Sequence, residues 1–319
     1  MSKPSIETFQ GCLLGCAVGD ALGAPFEGLW GSTIPIKEEL LSGYAEFEGY
    51  PRGQFTDDTQ LSIATVESIV EQGQVSPHDI ACRISELWKS QAVVGPGGAC
   101  TRAADQFLAT GNWQTCGAPV GQAGNGTAMR TAVLGLFYHS IPEELPQSAA
   151  DISRITHSDP RSIAGGVAIA KASQLLATGK HPSSEFFAEV ADSMMPYEPQ
   201  FARLVQNIPK LATKDSALDE IAWAGMESAE FSEPIITPFV MPTVIAALWI
   251  LARFPDCWSS SVAAVIGLGG DVDTLGAIVG ALQGAHLGID AIPSHLREQV
   301  FEHDRLTILA NRYHAVVKD

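Results

Sequence analysis

Glycine recurs at every fourth position in two distant stretches of this 319-residue chain, at Gly11, Gly15, Gly19 and Gly23 and again at Gly276, Gly280, Gly284 and Gly288. Inside a helix each glycine costs roughly 1 kcal/mol relative to alanine, so a stripe of them on one face needs a compensating gain. Close approach supplies it, because a face without Cβ atoms lets another backbone lie directly against it. Paired membrane helices use the same spacing. Here, however, both segments are short and carry or adjoin acids: Asp20 in the first, Asp271 and Asp273 beside the second. The stripes therefore predict two central helices packed tightly in a soluble core.

Most of the remaining chain reads as helix separated by Gly and Pro punctuation. Ser76-Pro77-His78-Asp79 offers an N-cap serine and a first-turn proline ahead of Ile80, Ile84, Leu87 and Trp88. Asp159-Pro160 does the same for a helix through Ile163, Val167, Ala170 and Leu175 that ends near Gly179. Further helical patterns cover about 126–139, 183–194, 217–231, 238–253 and 293–317. Alternating strands bounded by hairpin turns are scarce. The expectation is an all-α, compact single domain spanning 1–319, with no low-complexity linker dividing it.

Composition narrows the function. A hydrophobic share of 46% with 17% charged residues excludes a disordered chain. The 19 basic against 36 acidic residues give a formal charge of −17, which argues against a nucleic-acid binder with a basic groove. An anionic ligand would meet net repulsion unless cations intervene. Val240 to Leu251 is the longest apolar run and contains Pro242, too short for a bilayer and read as a buried helix. The first residues lack the basic stretch and apolar core of a secretory signal. Six dispersed cysteines without a CxxC pair read as reduced core thiols. A cytoplasmic protein is expected, with no membrane partner and an open oligomeric state.

Two acidic clusters stand at predicted helix starts, Thr56-Asp57-Asp58-Thr59 and Asp271-Val272-Asp273-Thr274. Capping explains one carboxylate or hydroxyl at each. It does not explain two neighbouring acids, twice over, among apolar and small residues. Clustered buried carboxylates need protons, bases or metal, and Arg52 is the main basic residue nearby. A hard divalent cation bound through oxygen is the economical solution. If both clusters share a site, Asp57, Asp58, Asp271 and Asp273 balance two magnesium ions, with Glu27 or Asp20 as a further ligand.

Gly124-Asn125-Gly126-Thr127-Ala128-Met129-Arg130 is a third candidate, since its glycines permit close backbone approach and a following helix could offer free N–H groups to a phosphate. It lacks the Lys-Ser/Thr of a P-loop, and Asn-Gly also marks an ordinary turn. His157 sits at a helix boundary, where a structural hydrogen bond is the commoner role.

In order, the chain presents GCLLGCAVGDALGAPFE over 11–27, FTDDT over 55–59, GNGTAMR over 124–130, Thr156-His157 and GDVDTLG over 270–276. This set, from about residue 11 to 288, resembles the ADP-ribosylglycohydrolase family. The resemblance implies an all-α fold with two magnesium ions, manganese in some members, at the base of a cleft. Thr56, Asp57 and Asp58 would ligate one face of the pair and Asp271, Asp273 and Thr274 the other. Glu27 would sit beside them as ligand or proton-handling group. Gly124, Asn125, Gly126, Thr127, Met129, Arg130 and His157 would hold the diphosphate and ribose of ADP-ribose.

The implied reaction is hydrolysis of the glycosidic bond between the distal ribose and an acceptor, arginine foremost, with Glu27, Asp57 and Asp58 as the catalytic set and Glu27 or Asp57 as the base. An ADP-ribosylated protein or a small ADP-ribose conjugate would be the partner. Serine-linked or O-acetyl substrates are the alternatives. Relatives with an aromatic or bulky residue just before the Gly-Asn-Gly can enclose the ligand with it; this chain has Gly121-Gln122-Ala123 there, leaving Phe26, Trp30 and Trp113 as candidates for the adenine. Two other readings compete. A haloacid-dehalogenase-type phosphohydrolase needs a threonine two places after the second Asp, whereas Thr274 follows Asp273 at once. A silent ADP-ribose binder would usually lack one of the metal carboxylates, and all are present.

Overall fold

The two glycine stripes fall on helices that run side by side and antiparallel through the centre of the protein. The computed structural model describes residues 3–47, 49–214, 217–226 and 234–318. Among these, the helices of eight or more residues are α1 (Ile6–Gly23), α2 (Asp57–Gln72), α3 (Pro77–Lys89), α4 (Gly98–Thr110), α5 (Leu145–Arg154), α6 (Pro160–Ala177), α7 (Ser184–Met194), α8 (Pro199–Gln206), α9 (Val240–Arg253), α10 (Trp258–Ile266), α11 (Val272–Leu287) and α12 (His303–Val316). No strand ladder forms among the described residues, only isolated bridges such as Ile236 with Gly270. The fold is all-α.

α1 and α11 touch backbone to backbone. A Cβ placed on Gly15 would lie 2.2 Å from the Gly280 carbonyl oxygen, and one on Gly19 would lie 2.0 Å from that of Gly276. Real Cβ atoms do not approach so closely, so glycine is required on both sides. The pair is wrapped by other helices. Phe9 of α1 meets Tyr313 of α12 edge to face at 5.0 Å, and Trp258 of α10 donates its indole N–H to the Gly280 carbonyl at 3.2 Å. α6 crosses behind them, buried along most of its length. Among the described residues no single helix is long and apolar enough to cross a membrane.

Predicted and observed helices agree where caps and periodicity coincide. Ser76 caps α3, Asp159 caps α6, and α7 and α9 fall within the predicted 183–194 and 238–253. The predicted 126–139 helix is instead a 3-10 turn, Ala128–Arg130, followed by the short helix Ala132–Phe137, because residues 124–127 are held as a loop. The predicted 293–317 helix is broken between Ser294–Arg297 and α12, where Phe301 donates its backbone N–H to Gly53 and Glu302 adopts φ +56°. Of 217–231, Leu218–Ala222 is helical and a turn follows with Gly225 at φ +76°; residues 227–231 lie outside the described residues. Cys82 and Cys257 are exposed, so only Cys12, Cys16, Cys100 and Cys116 are the buried thiols expected.

Candidate active site

The glycine contact places one end of each central helix at the same point. Gly23 at the C-terminus of α1 lies against Val272 and Asp273 at the N-terminus of α11, so the chain leaving α1 passes Glu27 over the second acidic cluster. Gly28 and Leu29 then pair with Gly270 through backbone hydrogen bonds of 2.8 Å each way. Gly270 stands at φ +90°, and a Cβ there would come 2.0 Å from the Ile236 carbonyl oxygen, so only glycine fits this junction.

Asp20 fixes the first cluster against α1. Its buried carboxylate accepts from Thr56 N–H at 3.0 Å, from the Thr59 N–H at 3.1 Å and from the Thr59 hydroxyl at 2.6 Å, with the Thr56 hydroxyl 3.0 Å away. Burial raises its pKa to about 6, a rise these hydrogen bonds restrain. With both oxygens engaged, Asp20 is a pin that presents the start of α2. Capping is also accounted for: the Thr56 side chain accepts from Asp58 N–H, while the Asp271 side chain makes no cap hydrogen bond.

Asp57, Asp58, Asp271 and Asp273 are thus free of capping duty, buried, and gathered on one cleft. Glu27, Asp271 and Asp273 each offer a carboxylate oxygen within 4.8 Å of the others. Asp58 Oδ1 and Asp273 Oδ1 are buried without a hydrogen-bond partner. Among the described residues none of the four buried acids forms an ion pair, and Arg52 is exposed and does not line their cleft. Burial raises the Asp57 pKa to about 8, with Asp20 and Asp271 adding repulsion. Burial likewise holds Asp58 and Asp273 well above the usual carboxylate range, with Asp20 and Asp57 pressing on the first and Asp271 and Asp58 on the second. Asp271 is raised by burial although Asn125 Nδ2 donates to it. An all-oxygen, strongly anionic set with unpartnered oxygens suits hard divalent cations.

The cleft is about 180 Å³ and is lined by these acids, Gly97, Cys100, Gly124 to Gly126, Met129, His157, Pro238 and Thr274. Beside it opens a wider cavity of about 720 Å³, sharing Gly124 and Pro238 and bounded by Arg102, Arg161 and Phe239.

The sequence model of ADP-ribosylglycohydrolase matches residues 1–319. The chain belongs to the ADP-ribosylglycohydrolase family. An ADP-ribosyl-[dinitrogen reductase] glycohydrolase of Rhodospirillum rubrum is 31% identical over 92% of this chain and 90% of its own. The ADP-ribosylarginine hydrolase Tri1 of Serratia proteamaculans is 26% identical over 97% of this chain and 79% of its own. A solved structure described as an ADP-ribosylglycohydrolase-related protein complex superposes with a TM-score of 0.78 at 28% identity, covering 98% of this chain and 99% of that one.

Within this ADP-ribosylglycohydrolase the predicted loop divides into residues that face the cleft and residues that brace it. Gly124, Asn125, Gly126, Met129 and His157 line it. Thr127 and Arg130 do not: the Thr127 hydroxyl donates to the Ser162 carbonyl, and the fully buried Arg130 donates to Gly126, Thr156 and Ile152. Thr56 is likewise behind the lining, committed to Asp20 and the α2 cap. Gly124 and Gly126 are needed for the His157 ring, since a Cβ on either would lie within 2.9 Å of it. Neither has positive φ. Burial and the Arg130 charge lower the His157 pKa to about 3, so its imidazole is neutral.

Phe26, Trp30 and Trp113 line neither cavity. The aromatic ring that does is Phe239, with the Arg161 guanidinium 5.4 Å from its centroid. Phe239, Arg102 and Arg161 lie outside every motif of the sequence. Only their convergence at the loop shows them.

Proposed function

We propose that the protein is a magnesium-dependent hydrolase of ADP-ribosylated proteins, cleaving the N-glycosidic bond between the distal ribose and arginine. The supporting observation is the cluster of buried, unpaired carboxylates at the base of a cleft that widens toward two arginines and an aromatic ring. Asp57, Asp58, Asp271 and Asp273, with Thr274 and Glu27 at the edge, would hold two magnesium ions. Bound there, the ions would supply Lewis acidity to the ribose hydroxyls and to water.

The chain's own groups do the rest. Glu27 is the only acid of the group open to solvent, and burial together with Asp271 raises its pKa. It accepts the proton of the attacking water and can release it to bulk. The C1″–N bond of the protonated substrate breaks, the water oxygen joins C1″, and the guanidine departs neutral and takes up the proton that Glu27 received. The exposed carboxylate of Glu27 at the edge of the cleft favours a guanidine leaving group over a neutral serine or acetyl ester. Neutral His157 and the Gly124–Gly126 backbone position the ribose. Arg102, whose guanidinium donates to Gln122 at 2.6 Å, faces the diphosphate, and Phe239 offers a face to the adenine.

The deciding experiment measures release of free ADP-ribose from an arginine-ADP-ribosylated protein, with magnesium and with chelator. Release that requires magnesium is the expected result. Release from serine-linked or O-acetyl substrates alone would reassign the leaving group. Binding of ADP-ribose without turnover of any of them would make the protein a silent binder.

A further inference from the structure

The opposite end of α11 carries a second cluster of metal-ligating groups. His286 lies in the last turn of α11, thirteen positions beyond Asp273 and so about 20 Å from it along the helix at ~1.5 Å per residue. The turn between α6 and α7 brings His181 to it, and the turn between α9 and α10 brings Asp256. One donor atom from each of the three lies within 4.8 Å of the others. His181 Nε2 and Asp256 Oδ1 are 3.2 Å apart. That is close to the ~3.4 Å edge of a tetrahedron with ~2.1 Å metal–ligand bonds.

A surface hydrogen bond between His181 and Asp256 accounts for two of these groups. A backbone hydrogen bond with Leu176 accounts for at most one ring nitrogen of the third, His286. The His286 ring stands edge-on to that of His181 with centroids 5.8 Å apart, and its Nδ1 is buried with no hydrogen-bond partner. Lys180, next to His181 in the chain, is engaged with Glu189. Two imidazoles and one carboxylate from three separate elements form a borderline donor set, suited to zinc, cobalt or nickel and poorly to magnesium.

We propose that His181, Asp256 and His286 form a site for a divalent transition-metal ion, zinc foremost, separate from the carboxylate cleft. The ion ties the turn after α6 and the turn after α9 to the C-terminal end of α11, with solvent completing its coordination. Its role is to staple three elements, and it does not depend on the reading of the cleft.

The test uses the full chain, stripped with chelator and held in excess magnesium so that the oxygen-only cleft is occupied. Zinc is titrated calorimetrically, and cobalt is added in parallel as a spectroscopic probe. The expected result is one equivalent of zinc, with the intense visible bands of four-coordinate cobalt. His181→Ala, at an exposed position that leaves the fold intact, and His286→Ala should each weaken uptake tenfold or more, whereas Asp273→Asn should not. Magnesium-dependent hydrolysis by His181→Ala should match the parent. No saturable uptake overturns the proposal. So does uptake that survives both histidine changes, or uptake that disappears with Asp273→Asn.

Discussion

Asp20 and Asp58 look alike in the sequence, and the structure gives them opposite tasks. Asp20 is saturated by Thr56 and Thr59, whereas Asp58 keeps a buried oxygen with no partner. Asp58→Asn and Asp273→Asn should therefore abolish ADP-ribose release and lower magnesium stoichiometry while circular dichroism stays helical; full activity in either would remove it from the site. Asp20→Asn should act indirectly. An amide cannot accept all of these hydrogen bonds, and the N-terminus of α2 loosens, so magnesium affinity falls and the melt drops by about 1–3 kcal/mol for lost buried hydrogen bonds. The paired acids were readable because their local surroundings were too apolar for solvated charge. Arg130 was misplaced for the opposite reason. A cation beside a glycine loop suggests an anion in the sequence, and only the fold shows its two terminal nitrogens turned to the Gly126 and Ile152 carbonyls and the Thr156 hydroxyl.

At the scale of helices, the spacing of four gave away α1 and α11 because it reports an interhelical distance. Elements such as α4, α5, α8 and α10 carried no comparable mark and were not foreseen, although each packs chiefly against a helix next to it in the chain. The breaks near residues 126 and 302 escaped for a different reason. Each is imposed by a distant partner, His157 against the loop glycines and Gly53 against Phe301. The contact makes a sharp stability prediction. Gly15→Ala should destabilise the protein by about 3 kcal/mol or more, at the upper end of overpacking costs, because the methyl meets backbone on α11. Gly43→Ala, with nothing within 4 Å of the added carbon, should stay within about 0.5 kcal/mol. Chemical denaturation of the two variants would check both, and equal losses would contradict the backbone contact.

Over the whole molecule, the −17 charge and the buried acids act together on pH dependence. The folded pKa of Asp57 is about 8 against 3.8 in the open chain, and Asp58 and Asp273 shift in the same direction. In chelator their contribution is fully present below about pH 4 and is lost as the pH rises through 8, since the folded state then holds more protons than the unfolded one. His157, at about 3 against 6.5, works the other way, adding stability as the pH climbs from 3 to 6.5 and nothing beyond. Above pH 6.5 only the carboxylates remain. The melting temperature in chelator should thus fall between pH 6.5 and 8.5, and magnesium should raise it more at pH 8 than at pH 6.5. An equal magnesium increment at both values would argue against ion binding by these acids.

The meeting of α1 with α11 also sets a timetable. About 250 residues of chain separate the end of α1 from the start of α11, and at ~5–20 residues per second a ribosome takes roughly 10 to 50 s to make them. Throughout that interval the first helix has left the tunnel with its glycine face bare and its partner not yet made. Nascent chains of this protein must be carried in an unfinished state, and Glu27 cannot meet Asp271 and Asp273 until synthesis has passed α11.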